Sequence, residues 1–252
     1  MDTHKASARR AIGERHRAIP LRGEVWERLR HVSTATLATQ LLRRGFRNCV
    51  LTGLVPLRPD LRMVGYAFTL RYVPAREDVA VRVEIDNATN IQRLAVEAIG
   101  RDEILVIDAR GDIRAGSLGN ILGTRLQRRG AAGIVTDGAV RDTPSFRELE
   151  LPVYAAGSHA SLASVIHYPA DMNVPIGCGG VLIMPGDVLV GDAEAVVAIP
   201  RAITEEVAFD AFEQEQLEEF ILAKIRDGAA IGGVYPPDEQ TREEYRAARP
   251  RP

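Results

Sequence analysis

Cysteine is almost missing from this chain: Cys49 and Cys178 are the only two. So thin a supply excludes a disulfide framework and any cysteine-based zinc cage. It suits the reducing cytoplasm, where the chain is expected to reside. Aromatic residues are scarce as well, at 5%, too few for the stacked platform on which single-stranded nucleic acid is held. Charge of one sign is not in excess. A net charge of -2 argues against nucleic acid as the main partner. No apolar run approaches the roughly 20 residues that span a bilayer, so no membrane partner is expected. The opening MDTHKASARRAIGERHRAIP has no apolar centre of the kind a secretory signal needs. Neither an internal repeat nor a break in composition divides the chain.

What is present suits a globular enzyme. Hydrophobic residues make up 46% and charged residues 26% of 252, ample for one large domain or two small ones. Residues 1–20 are basic and poor in large apolar groups. They read as an N-terminal arm, either solvated or docked on a neighbouring subunit. Residues 21–235 read as the main domain, and 236–252, polar and proline-rich at the end, as a partly loose tail. Within the domain a helical run covers 25–29. A second, capped by Ser33 or Thr34, runs to Gly45. Residues 64–73 alternate as a strand does, and so do Val79, Val81, Val83 and Ile85. A helix over 91–99 stops at Gly100, and a short buried strand over 104–107 ends at Asp108. Residues 152–156 form another short strand. Residues 174–184 and 188–199 are β-rich, punctuated by glycine, and turn at Pro185-Gly186-Asp187, which predicts an antiparallel portion. A long helix then runs from Pro200 to about Arg226. Leu217, Phe220, Ile221 and Ile225 share its apolar face, and Glu213, Glu215, Glu218 and Glu219 lie mostly off it.

The chemistry concentrates in residues 116–142. Gly116 and Gly119 open a turn, a helical run follows over 120–129, and an apolar run over 133–135 stops at Thr136-Asp137-Gly138. Strand, helix and strand in so few residues predict a right-handed βαβ unit with parallel strands, whose ligands bind at the strands' carboxyl ends. The first amides of the helix, at 120–122, have no intrahelical acceptor. With Gly119 allowing close approach they can hold a carboxylate, although a turn that merely needs glycine looks the same. Arg141 offers a planar fork for a carboxylate or an enolate oxygen, and Asp142 can ligate a hard divalent ion. A plain surface ion pair is the other reading of the two. Asp108 and Asp137 read as loop caps or as acid–base groups. His159 and His167 are candidates for the cleft wall. Cys178, between glycines, reads as a small buried residue.

Several stretches also resemble a known family. They are GNILGT at 119–124, RGAAGIVTDGAVRD at 129–142, LPVYAAG at 151–157, MVGYAFTLR at 63–71 and VPIGCGGVLIMPGDVLVGDAEAVVAIP at 174–200. Together they are similar to the RraA-like family, which holds 4-hydroxy-4-methyl-2-oxoglutarate/4-carboxy-4-hydroxy-2-oxoadipate aldolases and the ribonuclease E regulator RraA. The resemblance implies an α/β fold, an α-β-β-α sandwich of the swivelling β/β/α type, assembled as a homotrimer or a pair of trimers with sites between subunits. It implies a lyase that releases pyruvate from a 4-hydroxy-2-oxo acid, with oxaloacetate decarboxylation as a side activity. A non-catalytic regulator of ribonuclease E, or a sibling lyase or dehydratase for a sugar-derived keto acid, are the alternatives. By the same resemblance Arg141 contacts pyruvate, Asp142 binds Mg²⁺ or Mn²⁺, and the segment Gly119, Asn120, Ile121 and Leu122 holds the carboxylate. Glu218 or Glu219 of a neighbouring subunit helps order water, with Glu219 taken as catalytic. The chain departs from the aldolases at Asn120, where they carry an aspartate. Asparagine accepts a hydrogen bond but takes up no proton near neutrality.

Overall fold

A computed structural model describes residues 20–79 and 86–248. The N-terminal arm therefore lies outside the described residues, as do Val81, Val83 and Ile85. Val79 sits in a helical turn, not in a strand.

Among the described residues a nine-stranded mixed sheet organises the chain. Its centre is four neighbouring parallel strands, β3 (Met63–Pro74), β4 (Glu103–Asp108), β5 (Gly133–Val140) and β6 (Val153–Ser158). Strand β4 reads EILVID because both of its faces are covered. Leu105 and Ile107 enter one apolar cluster, and Ile104 and Val106 enter another on the opposite side. Antiparallel strands extend the sheet from β3, through β10 (Val188–Gly191) and β11 (Val196–Ile199) to the short β1 (Val50–Leu51). The short β2 (Val55–Pro56) closes the other edge against β6. Strand β7 (His167–Met172) pairs with the far half of β3, and β8 (Ile176–Cys178) with β9 (Val181–Ile183) form a separate hairpin. The antiparallel portion expected over 174–199 is thus present.

Helices cover the sheet in two groups. Helix α1 (Gly23–His31) and α2 (Thr34–Arg43) pack with the long C-terminal helix on β10 and β11 through Leu29, Leu37, Leu41 and Val207. Ser33 caps α2 by accepting a bond from the Thr36 amide, and Gly45 follows at φ +86°. Farther along the same face of this curled sheet, α3 (Ile91–Ala98) and α4 (Asn120–Arg129) cover β3, β4 and β5. This is the expected α-β-β-α sandwich.

Two local expectations need correction. Strand β5 does not stop at Val135; it continues to Val140 across a β-bulge between Thr136 and Ala139. Bulges re-aim the chain beside functional sites, and this one turns the Asp137 carboxylate back to accept bonds from the amides of Ala109 and Gly111 at 2.7 and 3.1 Å. The short helix α5 (Thr143–Phe146) follows, and α6 (Thr204–Arg226) is the long C-terminal helix. Helix α6 meets the core through Val207, Ala208 and Ala211 in its first half. Of the predicted apolar face only Ile221 is buried, because the second half of the helix runs beyond the sheet. The tail, expected to be partly loose, contains a helix. Helix α7 (Glu239–Ala248), capped by Asp238, folds back on α6 through Phe220–Tyr245 ring contact and the Lys224–Glu244 ion pair.

Candidate active site

The loop between β4 and α4 is stitched to the end of β5. Gly116 bridges Ala139, the Ser117 amide and hydroxyl both donate to the Ala139 carbonyl at 2.6 and 2.8 Å, and the Arg141 amide donates to the Leu118 carbonyl at 3.1 Å. The Tyr72 hydroxyl and Gln92 Nε2 donate to the Ser117 carbonyl from β3 and α3, at 2.8 and 2.7 Å. These bonds bring the start of α4 against Arg141.

Both glycines exist to let that arginine pass. A Cβ on Gly116 would stand 2.9 Å from Arg141 Cβ, and one on Gly119 would stand 3.1 Å from Arg141 Cγ and 2.7 Å from Asp142 Oδ2. Asp142 holds φ +60°, a left-handed conformation that aspartate tolerates better than most residues. Its carboxylate does not cap its own helix α5. It accepts from the Asn120 amide at 3.3 Å, and Arg141 Nε lies 3.4 Å from Oδ2. The expected anion cradle therefore has one amide already engaged. The amides of Ile121 and Leu122 have no acceptor among the described residues and stay available to a ligand.

Gly119, Asn120, Ile121, Leu122, Arg141 and Asp142 all line one cleft of about 710 Å³. Ile121 is 81% exposed at its rim. Gly123 seats the first turn of α4 against α5; a Cβ there would overlap the Phe146 ring. The opposite wall comes from α3 and the start of β7, including Arg93, Glu97, His167 and Tyr168. Apart from His167, none of these four stood out in the sequence. The one local cue was the polar first turn of α3, Gln92-Arg93, on a helix whose Ala95 and Val96 are buried.

The other candidates fall elsewhere. Asp108 and Asp137 do not line the cleft. Asp108 accepts from the Arg110 amide at 2.9 Å, and burial raises the carboxyl pKa of both aspartates. They are loop caps. His159 is exposed, accepting from the Ser161 amide. Cys178 is buried and unpaired, and burial pushes its thiol well up, as for an inert core residue. Glu219 lines a second hollow between α1 and α6, and Glu218 accepts from Gln214. Neither lines the cleft that holds Arg141 and Asp142.

His167 does belong to the cleft. Its ring is 1% exposed and stacks on Tyr72 at 5.2 Å. Arg110 Nη2 lies 3.2 Å from Nδ1, and a guanidinium can only donate, so the neutral ring carries its proton on Nε2. Nε2 is buried and makes no hydrogen bond of normal geometry among the described residues. Burial, then the Arg110 charge, lowers the imidazole pKa below its ordinary value; Asp112 and the Ala115 backbone oppose this more weakly. The unfolded chain thus takes up the proton first as pH falls, and the stability lost begins near the ordinary value of about 6.5. The urea midpoint is expected to be lower at pH 5.5 than at pH 7.5. The drop should shrink in His167→Gln; an equal drop in the variant would place the effect on other groups.

No group of three His, Cys, Asp or Glu side chains suited to a metal stands among the described residues, so a zinc-type cage is not what these residues build. Mg²⁺ asks for less: one or two carboxylates, with substrate and water completing the shell. Asp142 fits that demand, since it lines the cleft and its contacts to Arg141 are long. Glu97 fits it less well, being committed to Arg125 and Arg129.

Residues 34–198 match the family model described as RraA-like: Aldolase/RraA. The chain belongs to the RraA-like family. Among RraA-like relatives, a putative 4-hydroxy-4-methyl-2-oxoglutarate aldolase of Halalkalibacterium halodurans is 35% identical over 192 residues, covering 76% of this chain and 84% of the relative. Protein DlpA of Legionella pneumophila is 29% identical over 195 residues; the match takes in 77% of this chain but 29% of DlpA, so the chain spans under a third of that protein. The crystal structure of Streptomyces coelicolor RraAS2, described as an unusual member of the RNase ES inhibitor RraA protein family, superposes with a TM-score of 0.70 at 34% identity, over 79% of this chain and 96% of RraAS2. Among the described residues no helix is long and apolar enough to cross a membrane.

Proposed function

We propose that this chain is a divalent-metal-dependent lyase that splits a 4-hydroxy-2-oxo acid into pyruvate and a second carbonyl compound. The observation that carries the reading is the meeting of free α4 amides, Arg141 and Asp142 in one cleft. The similarity to a relative named as a putative aldolase supports it.

In this reading the amides of Ile121 and Leu122 hold the C1 carboxylate, and Arg141 faces the C2 oxygen. The C4 hydroxyl gives up its proton, the C3–C4 bond breaks, and its electron pair moves onto the C2 oxygen as the pyruvate enolate. C4 leaves as a carbonyl, and protonation at C3 completes pyruvate. Arg141 stabilises the charge gathering on that oxygen, a contribution that grows toward the transition state. Mg²⁺ or Mn²⁺ on Asp142 would supply Lewis-acid polarisation of the keto group. The proton acceptor is the role that Asn120 cannot fill. Asp108 and Asp137 lie outside the cleft and Glu97 is held in ion pairs. The role is assigned to Glu218 or Glu219 of a neighbouring copy, which requires an oligomer with sites between subunits; a homotrimer or a pair of trimers is the assembly that the family resemblance implies. Decarboxylation of oxaloacetate passes through the same enolate and is an expected side activity.

The test is pyruvate release from 4-hydroxy-4-methyl-2-oxoglutarate with Mg²⁺, Mn²⁺ or EDTA. Metal-stimulated, chelator-sensitive release is expected. No turnover of any hydroxy-keto acid under all three conditions would reject the lyase. The likeness to RraAS2 favours a second reading, a regulator that binds a ribonuclease of the RNase E type. Retention of that ribonuclease on the immobilised protein, with no lyase activity, would establish it.

A further inference from the structure

The cleft has a second polar end, on α3. Helices α3 and α4 are tied at two levels. Near their beginnings, Gln92 Nε2 donates to the carbonyl of Ser117, just ahead of α4. Farther along, Glu97 accepts from Arg125 Nε and Nη2 at 2.9 and 2.7 Å and lies 3.5 Å from Arg129 Nη1. The two helices therefore run in the same direction, with their N-terminal turns side by side at the cleft. Arg93 is four residues before Glu97, and Ile121 four before Arg125. Each step is about one turn, roughly 6 Å along the axis, and keeps to one helix face. Arg93 is thus level with the first turn of α4, where the free amides are.

Its charge is uncommitted. Arg125 is neutralised by Glu97 and Arg141 faces Asp142. Arg93 donates to the neutral Asn87 carbonyl oxygen and has no carboxylate partner among the described residues. Packed helix axes stand about 8–10 Å apart, a gap that a five-carbon acid and one arginine side chain together bridge. A planar guanidinium fork facing a cleft is best matched by a carboxylate.

We propose that Arg93 is a specificity-determining residue of this site. It receives a carboxylate at the end of the keto acid remote from C1, so that the cleft selects dianionic over monoanionic 2-oxo acids. The proposal rests on the keto-acid reading of the cleft, and its test does not depend on turnover. Calorimetric binding of 2-oxoglutarate and of 2-oxobutanoate is measured with Mg²⁺ present, for the unaltered protein, Arg93→Gln and Arg93→Lys. The unaltered protein is expected to bind 2-oxoglutarate about tenfold or more tightly than 2-oxobutanoate, the least that one charge-assisted pair contributes. Arg93→Gln should abolish that preference while leaving 2-oxobutanoate binding unchanged, and Arg93→Lys should recover part of it. No preference in the unaltered protein, a preference that survives Arg93→Gln, or an equal loss for both acids would overturn the proposal. If the preference behaves as expected but no hydroxy-keto acid yields pyruvate, the lyase reading fails and the role of Arg93 stands.

Discussion

Arg141→Ala is expected to lower pyruvate release by about 10²–10³-fold, the usual consequence of removing a group aimed at developing oxyanion charge. The melting temperature should barely move. The contact of Arg141 with Asp142 is long and partly exposed, and such pairs contribute at most about 1 kcal/mol. The side chain packs over Gly116 and Gly119, so its loss opens space in the cleft without removing core. Coupled assay of turnover beside thermal unfolding reads both effects. A variant with near-normal kcat/KM would remove Arg141 from the chemistry, and a large fall in melting temperature would make it a structural residue.

Asp142→Asn is the second large effect. Asparagine tolerates the left-handed backbone that Asp142 holds at φ +60°, and its amide oxygen can still accept from the Asn120 amide. What disappears is the charge. Mg²⁺ affinity is expected to collapse, with turnover falling by about 10²-fold or more, since metal polarisation contributes several kcal/mol. Calorimetric titration of Mg²⁺ reads the binding directly. An unchanged affinity would show that the ion sits elsewhere.

Much of this architecture was legible before any coordinates. EILVID at Glu103–Asp108 could only be a strand covered on both faces, and the glycine-to-helix step at Gly119 marked the start of α4. The end of β5 was not legible. Thr136-Asp137-Gly138 has turn chemistry, yet pairing with β6 resumes beyond it at Ala139 and Val140. Tertiary pairing overrode the local preference, and the surplus residues became a bulge. The buried face of α6 departs from its apolar pattern for a related reason. Periodicity reports which residues are apolar, whereas burial depends on how far the sheet beneath extends, and it underlies only the Val207–Ala211 end.

Residue types and local spacing by themselves determined the parallel βαβ unit, the glycines ahead of α4 and the adjacency of Arg141 and Asp142, because each is a property of a few consecutive residues. Only the tertiary structure decided that Arg141 lies across Gly116 and Gly119, that Asp142 caps α4 and not α5, and that Arg93 and His167 share the cleft. Those contacts join segments far apart in the chain, and strand register and helix packing, which no local pattern encodes, set the distances between them.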